Sequence, residues 1–515
     1  MEISNIVQES LQFFIENWKL LLCMNLAFYF YFYYTRSFDH FKKRNIKFKK
    51  PVILFGNTLS RLVAKVSFFE YQLETYNLFK GHRFGGCFEG QRPILFILDT
   101  DIIKAVTISD SDHFIDRNTL KTNEPRYLSR TLLSLKGSEW KEVRSLITPT
   151  FSSARLKNMF PLMQHCSNQL VGLLTQFNKS DIELKEITGH FTLEVTGVTA
   201  FGISTDNLKD KNAEFYKIAE KFTYMSVPKR IFFFFILLFM PSMFKYINLS
   251  FMNPESTTKL VKILQKTKAE RMAQESKRSD FLQLLIDIAL KEKEEVKNNT
   301  EPSKIYLDDD TLDAQALLFL LAGFETSSTL LSFFFYTMAV EPDIQDKLRA
   351  HIEEVTNGQE LCYDHFSRLD YLEAVTLETL RMYPPVSRID RMCTKPYKVP
   401  NSDLYLRVGE VVAIPAYGIH MDPDIYPEPK MFKPERFMKE EKKERPSHLF
   451  LAFGAGPRNC IGSRFAMVVA KTAIVAMLRN FKFTPCSKTE YPVKFHKTSM
   501  LLKPANGLWV HVEKI

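Results

Sequence analysis

"FGAGPRNCIG", residues 453–462, packs three glycines, a proline and an arginine around a single cysteine, Cys460. The remaining cysteines stand alone at 23, 87, 166, 362, 393 and 486. With no C-x-x-C pair and no His-x-x-x-His spacing, neither a zinc site nor a disulfide framework is indicated. Gly454, Gly456 and Pro457 read as a turn into a helix that starts near Gly462. Cys460 then sits at the helix mouth, among free backbone N–H groups and the positive end of the helix dipole, and both favour a thiolate. A thiolate offered singly, on a loop that a flat ligand can approach closely, is what an axial iron ligand in a haem site requires. Phe453 would shield the sulfur and Arg458 would neutralise a propionate. A lone cysteine beside a tight turn is also a common structural residue, and the loop by itself leaves both readings open.

The chain has 515 residues, and no Gly-rich linker, repeat or low-complexity block divides it, so one large domain after a short N-terminal segment is expected. Seven scattered cysteines suit a reducing compartment. The excess of 69 Lys+Arg over 59 Asp+Glu fits nucleic acid, an anionic membrane face or an acidic protein partner. The N-terminus decides for the membrane and against nucleic acid. "LLLCMNLAFYFYFYY", residues 20–34, is uncharged, with Trp18 and Lys19 before it and Arg36, Lys42, Lys43, Arg44, Lys47, Lys49 and Lys50 after it. It is shorter than the ~20 residues that span a bilayer, but Lys19 can snorkel and the aromatic residues suit both interfaces. Acidic Glu2, Glu9 and Glu16 and a bulky aromatic end argue against a cleaved signal. Residues 1–35 are therefore expected to be a retained membrane anchor, 36–50 a basic linker on the cytosolic side and 51–515 the main domain. A core helix and a signal peptide are the competing readings. A second apolar run, "IFFFFILLFM" at 231–240, is too short to cross; a buried helix and a segment dipping into the same leaflet remain equally open.

Helical periodicity dominates the rest: Trp140 to Met163, Ala213 to Tyr224, Thr257 to Glu275, Asp280 to Val296, Leu312 to Val340, Asp343 to Val355, Tyr371 to Met382 and Ser463 to Asn480. Strand alternation is confined to "RPILFILD" near 92, "YKV", "LYLR" and "VVAIP" between 397 and 415, "SMLLK" and "LWVHV". The fold class expected is mainly α with a small β-sheet region. The charged stretch from Lys291 to Asp310 reads as a solvated loop.

Three further motifs accompany the cysteine loop. "AGFET", 322–326, lies mid-way along the long helix; Ala322 and Thr326 are four apart, share a face with Phe319, and Gly323 would leave room for a ligand. A threonine inside a helix is also often a back-bonded bystander. "ETLR" places Glu378 and Arg381 one turn apart, able to pair. "WKEVR" places Trp140 and Arg144 one turn apart, suited to carboxylates.

Together these motifs, in this order, make the chain resemble the cytochrome P450 monooxygenases, whose haem-ligand loop reads F-x-x-G-x-R-x-C-x-G. "EVTGVTAFGI" at 194–203, "DFLQLLID" at 280–287 and "RMCTKPYKVP" at 391–400 resemble most the insect microsomal detoxification group, related to the vertebrate drug-metabolising branch. The resemblance runs from about Pro51 to the C-terminus. Its one departure is at the hinge behind the anchor, where members are proline-rich and this chain offers only Pro51.

The resemblance implies haem b with Cys460 as axial thiolate and metal ligand. It implies Arg458, Arg144, Trp140, Arg391 and Arg117 at the propionates, with Phe453 at the sulfur. It makes Glu325 and Thr326 the acid–alcohol pair that brings protons to dioxygen, and Glu378, Arg381 and Arg436 of "PERF" a structural charged triad behind the haem. Substrate contacts carry over to Leu132, Leu133, Phe319, Ala322, Val386, Ser387, Met500 and Leu501, with Arg388 expected to reach a propionate. No dinucleotide or Walker loop occurs. NADPH electrons are therefore expected from a separate NADPH-cytochrome P450 reductase, with cytochrome b5 as a second donor, over a basic surface that includes Arg464 and Lys471. The expected location is the endoplasmic reticulum membrane, and the expected substrates are lipophilic xenobiotics, such as plant toxins and insecticides, or endogenous steroids. The rival readings are a thiolate-haem isomerase or dehydratase, which tends to lose the alcohol that Thr326 retains, and a haem-binding sensor or carrier, which needs no acid–alcohol pair.

Overall fold

The structure, a computed structural model, describes residues 2–119, 124–203, 208, 214–222, 225–247, 252–273, 278–298, 304–442 and 445–515. Its axis is a central helix, Asp309–Val340. Asp308 caps it by accepting from the Thr311 N–H at 2.9 Å, Asp309 and Asp310 complement the positive end, and Pro342 follows its C-terminus. Among the described residues it alone is long and apolar enough to cross a membrane, yet most of it is buried in the core. The helix Leu184–Thr196 lies against it through small side chains. The Thr188 and Ser332 hydroxyls are 2.7 Å apart, and Thr192 donates to the Phe324 carbonyl at 3.0 Å. A Cβ on Gly323 would come within 2.5 Å of Thr196 Cγ2. Gly323, expected to make room for a ligand, thus makes room for this neighbouring helix.

The helices Ser153–Thr175 and Ser463–Asn480 and the helix Asp370–Met382 complete the helical body. A four-stranded sheet flanks it in the order Phe84–Glu89, Arg92–Ile97, Val411–Ile414, Ile389–Met392; the two middle strands are parallel and the outer pairs antiparallel. A second sheet pairs Ser180–Glu183 and Phe481–Thr484 with Trp509–Lys514.

Several expectations need correction. The helix expected over 140–163 is interrupted: Gly137–Ile147 tightens into a 3-10 turn, Thr148–Phe151, where Pro149 lacks the donor an α-helix would use. Extended Ser152 then starts Ser153–Thr175, which accommodates Pro161. "SMLLK" is a loop; only Phe495 and Pro504 bridge around it. The expected ends Ala213, Tyr224 and Glu275 lie outside the described residues. Of the stretch 291–310, expected as a solvated loop, 291–298 instead continue the helix Phe281–Asn298, and 299–303 lie outside the described residues. Buried Glu292 in that helix accepts from the Tyr306 and Leu307 N–H groups. The basic linker is no free tether. Phe41 and Ile46 are buried, Phe41 meets Phe88 edge-on, and Arg44 pairs with Glu410 at 2.6 Å. Apolar residues set among the lysines dock residues 38–49 on the first sheet.

The N-terminal helix, Glu2–Thr35, carries Leu20, Met24, Leu26, Phe28, Tyr29 and Phe32 more than half exposed. At about 1.5 Å per residue, its 34 residues extend for ~51 Å. The second apolar run forms the helix Val227–Phe239. Phe233 and Ile236 are buried against Met225 and Phe244, whereas Ile231, Phe232 and Phe235 are exposed. The run is therefore buried on one face and exposed on the other. Its Phe239 meets Tyr34 of the N-terminal helix and Phe55 edge-on.

Candidate active site

Gly454 and Gly456 adopt φ of +72° and +69°, the left-handed region that favours glycine, and a Cβ on Gly456 would run into the Thr107 carbonyl. The turn they make is tied by Cys460 N–H donating to the Phe453 carbonyl at 2.8 Å and Asn459 N–H to Gly456 at 3.0 Å. Gly462 caps the helix Ser463–Asn480, leaving Cys460 two residues before its mouth. Cys460 is exposed, yet burial is the largest influence on its thiol and raises its pKa; the space it faces is enclosed by protein. The Gly462 backbone, Arg144 and Arg117 pull in the other direction, toward the thiolate.

Four guanidiniums converge on this loop. Arg144 donates to the Asn459 carbonyl and side-chain oxygen at 2.9 Å each, and Arg117 to the Arg458 carbonyl at 3.1 Å. Arg458 donates to the carbonyls of Ile115, Leu132 and Leu135 and lies 3.8 Å above the Trp140 ring. Burial, then repulsion from Arg117, pushes both Arg458 and Arg391 down to about 9. Asp116, 3.7 Å from Arg458, and Asp390, whose charge acts on Arg391 but is held by Arg388, are the carboxylates set against this cluster. Arg117 Nε is buried with no partner. A cavity of about 320 Å³ borders the cluster, lined by Trp140, Arg144, Arg391, Pro457 and Arg458. A cationic cluster short of counter-charge, with an orphaned donor and a sulfur beside it, fits a dianionic macrocycle that offers iron to the sulfur.

Between Thr311 and Ala339 the central helix is buried except at Leu318, Leu321, Ala322, Gly323, Glu325 and Thr326. An open stripe inside an otherwise buried helix marks the face of an internal space. Leu318 and Leu321 were not singled out from the sequence; an i, i+3, i+4 stripe of alanine and leucine looks like any core face. Phe319, expected on this wall, packs instead among Phe151 and Phe281, with ring centroids 5.1 and 5.6 Å away. The Thr326 hydroxyl donates to the Ala322 carbonyl at 2.6 Å, the back-bonded arrangement, which leaves its oxygen free to accept. Glu325 Oε1 lies 3.1 Å from Lys185 Nζ, which also reaches Thr329 at 2.9 Å.

Glu378, Arg381 and Arg436 come together in the interior. Arg381 grips Glu378 at 2.7 and 2.8 Å, and Arg436 Nε lies 3.4 Å from the same carboxylate. Arg381 also donates to the His420 carbonyl at 2.8 Å. His420, absent from the sequence reading, is fully buried; its Nε2 accepts from Leu451 N–H at 2.9 Å, so Nδ1 donates to the Arg381 carbonyl at 3.1 Å. It thereby links the charged triad to the chain entering the cysteine loop.

The remaining substrate positions divide. Leu133, Val386 and Met500 are exposed and Leu501 partly so, but Leu132 and Ser387 are buried. Arg388 does not reach the arginine cluster. Glu89 at 2.6 Å and Asp390 at 2.8 Å take its guanidinium; burial works against its charge, but the two carboxylates outweigh it and raise its pKa. Lys471, expected on a docking surface, is buried and pairs with Glu373 at 2.9 Å; Arg464 is exposed.

The family description "Cytochrome P450" matches residues 46–511. The chain belongs to the cytochrome P450 family. It is 36% identical over 505 residues to cytochrome P450 9e2 of Blattella germanica, covering 93% of this chain and 95% of that one. It is 35% identical to human cytochrome P450 3A5, covering 97% of each. Probable cytochrome P450 6a13 of Drosophila melanogaster is 33% identical, with 96% and 98% covered. This cytochrome P450 is a monooxygenase that uses haem with a cysteine thiolate ligand and takes NADPH electrons from a reductase partner.

Proposed function

We propose that this protein oxygenates lipophilic small molecules, either xenobiotics such as plant toxins and insecticides or endogenous steroids, at a haem held by Cys460. The observation that carries the assignment is the convergence of Arg117, Arg144, Arg391 and Arg458 around the Cys460 loop with Asp116, and Asp390 held by Arg388, as their counter-charge. Two propionates would supply the missing charge, and Trp140 beneath Arg458 holds that guanidinium in place. When bound, haem supplies reductive activation of dioxygen at an iron whose electron density the thiolate raises.

The chain's own residues do the rest. Leu318, Leu321 and Ala322 present an apolar wall that takes a lipophilic molecule and keeps water out. The Thr326 hydroxyl, its own proton donated to the Ala322 carbonyl, offers its oxygen as a proton acceptor at the open face, and the Glu325 carboxyl group, held beside Lys185, is the source that supplies it. Glu378, Arg381 and Arg436 keep the cysteine loop's supporting layer in register through His420 and Leu451.

Electrons arrive from NADPH-cytochrome P450 reductase, with cytochrome b5 as a second donor, at a face where Arg464 is exposed. The exposed apolar N-terminal helix anchors the protein to the endoplasmic reticulum membrane, its haem domain on the cytosolic side. Ile231, Phe232 and Phe235, continuous with that anchor through Phe239 and Tyr34, dip into the same leaflet. Reconstitution with the reductase tests the reading: NADPH- and dioxygen-dependent products one oxygen heavier than a lipophilic substrate support it. NADPH consumption that no substrate in a broad panel stimulates overturns it.

A further inference from the structure

Only Pro51 stands where a proline-rich hinge is expected behind the N-terminal helix, and the chain there is fastened rather than free. A single residue, Arg36, separates the end of the helix Glu2–Thr35 from the first tie, Ser37 Oγ donating to the Gln91 carbonyl at 2.6 Å. Arg36 itself lies 4.4 Å above the ring of Tyr33, in the helix's last turn. Phe41 is buried over Gly86, where a Cβ would come within 2.4 Å of its ring. Arg44 donates to both oxygens of Glu410, at 3.0 and 2.6 Å, a two-pronged pairing that fixes direction as well as distance. Farther on, Lys49 N–H donates to the Gly86 carbonyl at 2.9 Å and Gly86 N–H to the Lys47 carbonyl at 2.8 Å. The Asn57 amide closes the segment, donating to the Lys49 and Lys50 carbonyls at 3.3 and 3.0 Å.

A flexible tether makes few buried contacts and leaves its backbone to solvent, and residues 36–50 do neither. Swinging the N-terminal helix against the domain has to pull Phe41 off Gly86 and break the Arg44–Glu410 pair together. The helix is also held from a second side, since Tyr34 is buried and meets Phe239 edge-on. Phe239 ends the helix on which Ile231, Phe232 and Phe235 are exposed. Resting on the membrane-anchor reading above, we propose that residues 36–50 are a rigid joint that holds the anchor at one angle to the haem domain. The surface carrying Ile231, Phe232 and Phe235 is then the one pressed to the lipid.

The test is the distance distribution across the joint, read by double electron–electron resonance. It uses the full-length haem-loaded protein in phosphatidylcholine vesicles, as its diamagnetic ferrous carbon monoxide complex. One nitroxide sits on exposed Cys23 of the anchor and one at the exposed position of Lys65, through Lys65→Cys, with Cys362→Ser and Cys486→Ser removing competing thiols. An unaltered joint gives one narrow distance. Inserting Gly-Ser-Gly-Ser after Arg36 deletes no side chain of the joint but adds about 10–12 Å of r.m.s. reach, and the distribution broadens accordingly. Phe41→Ala combined with Arg44→Gln broadens it too, whereas Lys43→Gln, on an exposed side chain of the same segment, leaves it narrow. A broad or multiple distance with the joint unaltered, or a width that the insertion does not change, overturns the proposal. Flotation with the vesicles is scored separately: a protein that stays out of the lipid yet keeps one narrow distance contradicts the anchor reading and leaves the joint standing.

Discussion

Lys185 Nζ lies 3.1 Å from Glu325 Oε1, joining the helix Leu184–Thr196 to the open stripe of the central helix. Burial is the largest influence on Lys185 and lowers its pKa, with Glu325 opposing it. The lysine fixes where the acid sits. Lys185→Met therefore should raise the peroxide released per NADPH, as Glu325→Gln should, because an acid without a fixed place delivers protons poorly. A fall in melting temperature with unchanged peroxide would assign Lys185 a merely structural role.

Thr326→Ala removes the hydroxyl at the open face and leaves the arginine cluster untouched. The variant should bind haem fully and accept electrons at the wild-type rate while forming less product and more peroxide. Measuring NADPH, product and peroxide in one assay decides it; unchanged coupling would remove the proposed proton role.

Glu378 is the carboxylate that two buried guanidiniums, Arg381 and Arg436, share. Glu378→Gln keeps the shape but strands both charges, which costs about 3–5 kcal/mol. Haem incorporation during expression and the denaturant midpoint should both drop sharply, and Arg436→Leu should cost less, since its contact is the longer one at 3.4 Å.

Burial, then the Arg381 charge, pushes His420 down to about 3. Unfolded, it titrates near its ordinary value of about 6.5. Between those two pH values only the unfolded chain takes up the proton, so stability falls as pH drops, by roughly 1.4 kcal/mol per unit at most. Above pH ~6.5 this group contributes no pH dependence. His420→Gln should flatten the acid limb of a stability–pH curve and leave the neutral region's slope unchanged.

The helices were readable because each signal was local. The helix after the cysteine loop begins and ends where its periodicity says, at Ser463 and Asn480. The cysteine loop was readable for the same reason, since its glycines, arginine and sulfur lie within ten residues. What stayed hidden was either averse to its own structure or distant in the chain. The strand Phe84–Glu89 contains Gly85 and Gly86, poor strand formers that are required because Phe79 and Phe41 fill the space a Cβ would occupy. Arg388 finds Glu89 and Lys471 finds Glu373, 299 and 98 residues away, so nothing local showed that their charges were already taken. The open stripe at Leu318 and Leu321 is likewise visible only once the neighbouring helices are in place.

The most direct measurement is the absorption spectrum of the reduced protein under carbon monoxide, wild type against Cys460→Ser. Sulfur donation from residue 460 predicts a strongly red-shifted Soret band in the wild type and its loss in the serine variant. A band that persists in Cys460→Ser would show that a different group ligates the iron and would contradict the assignment of the site.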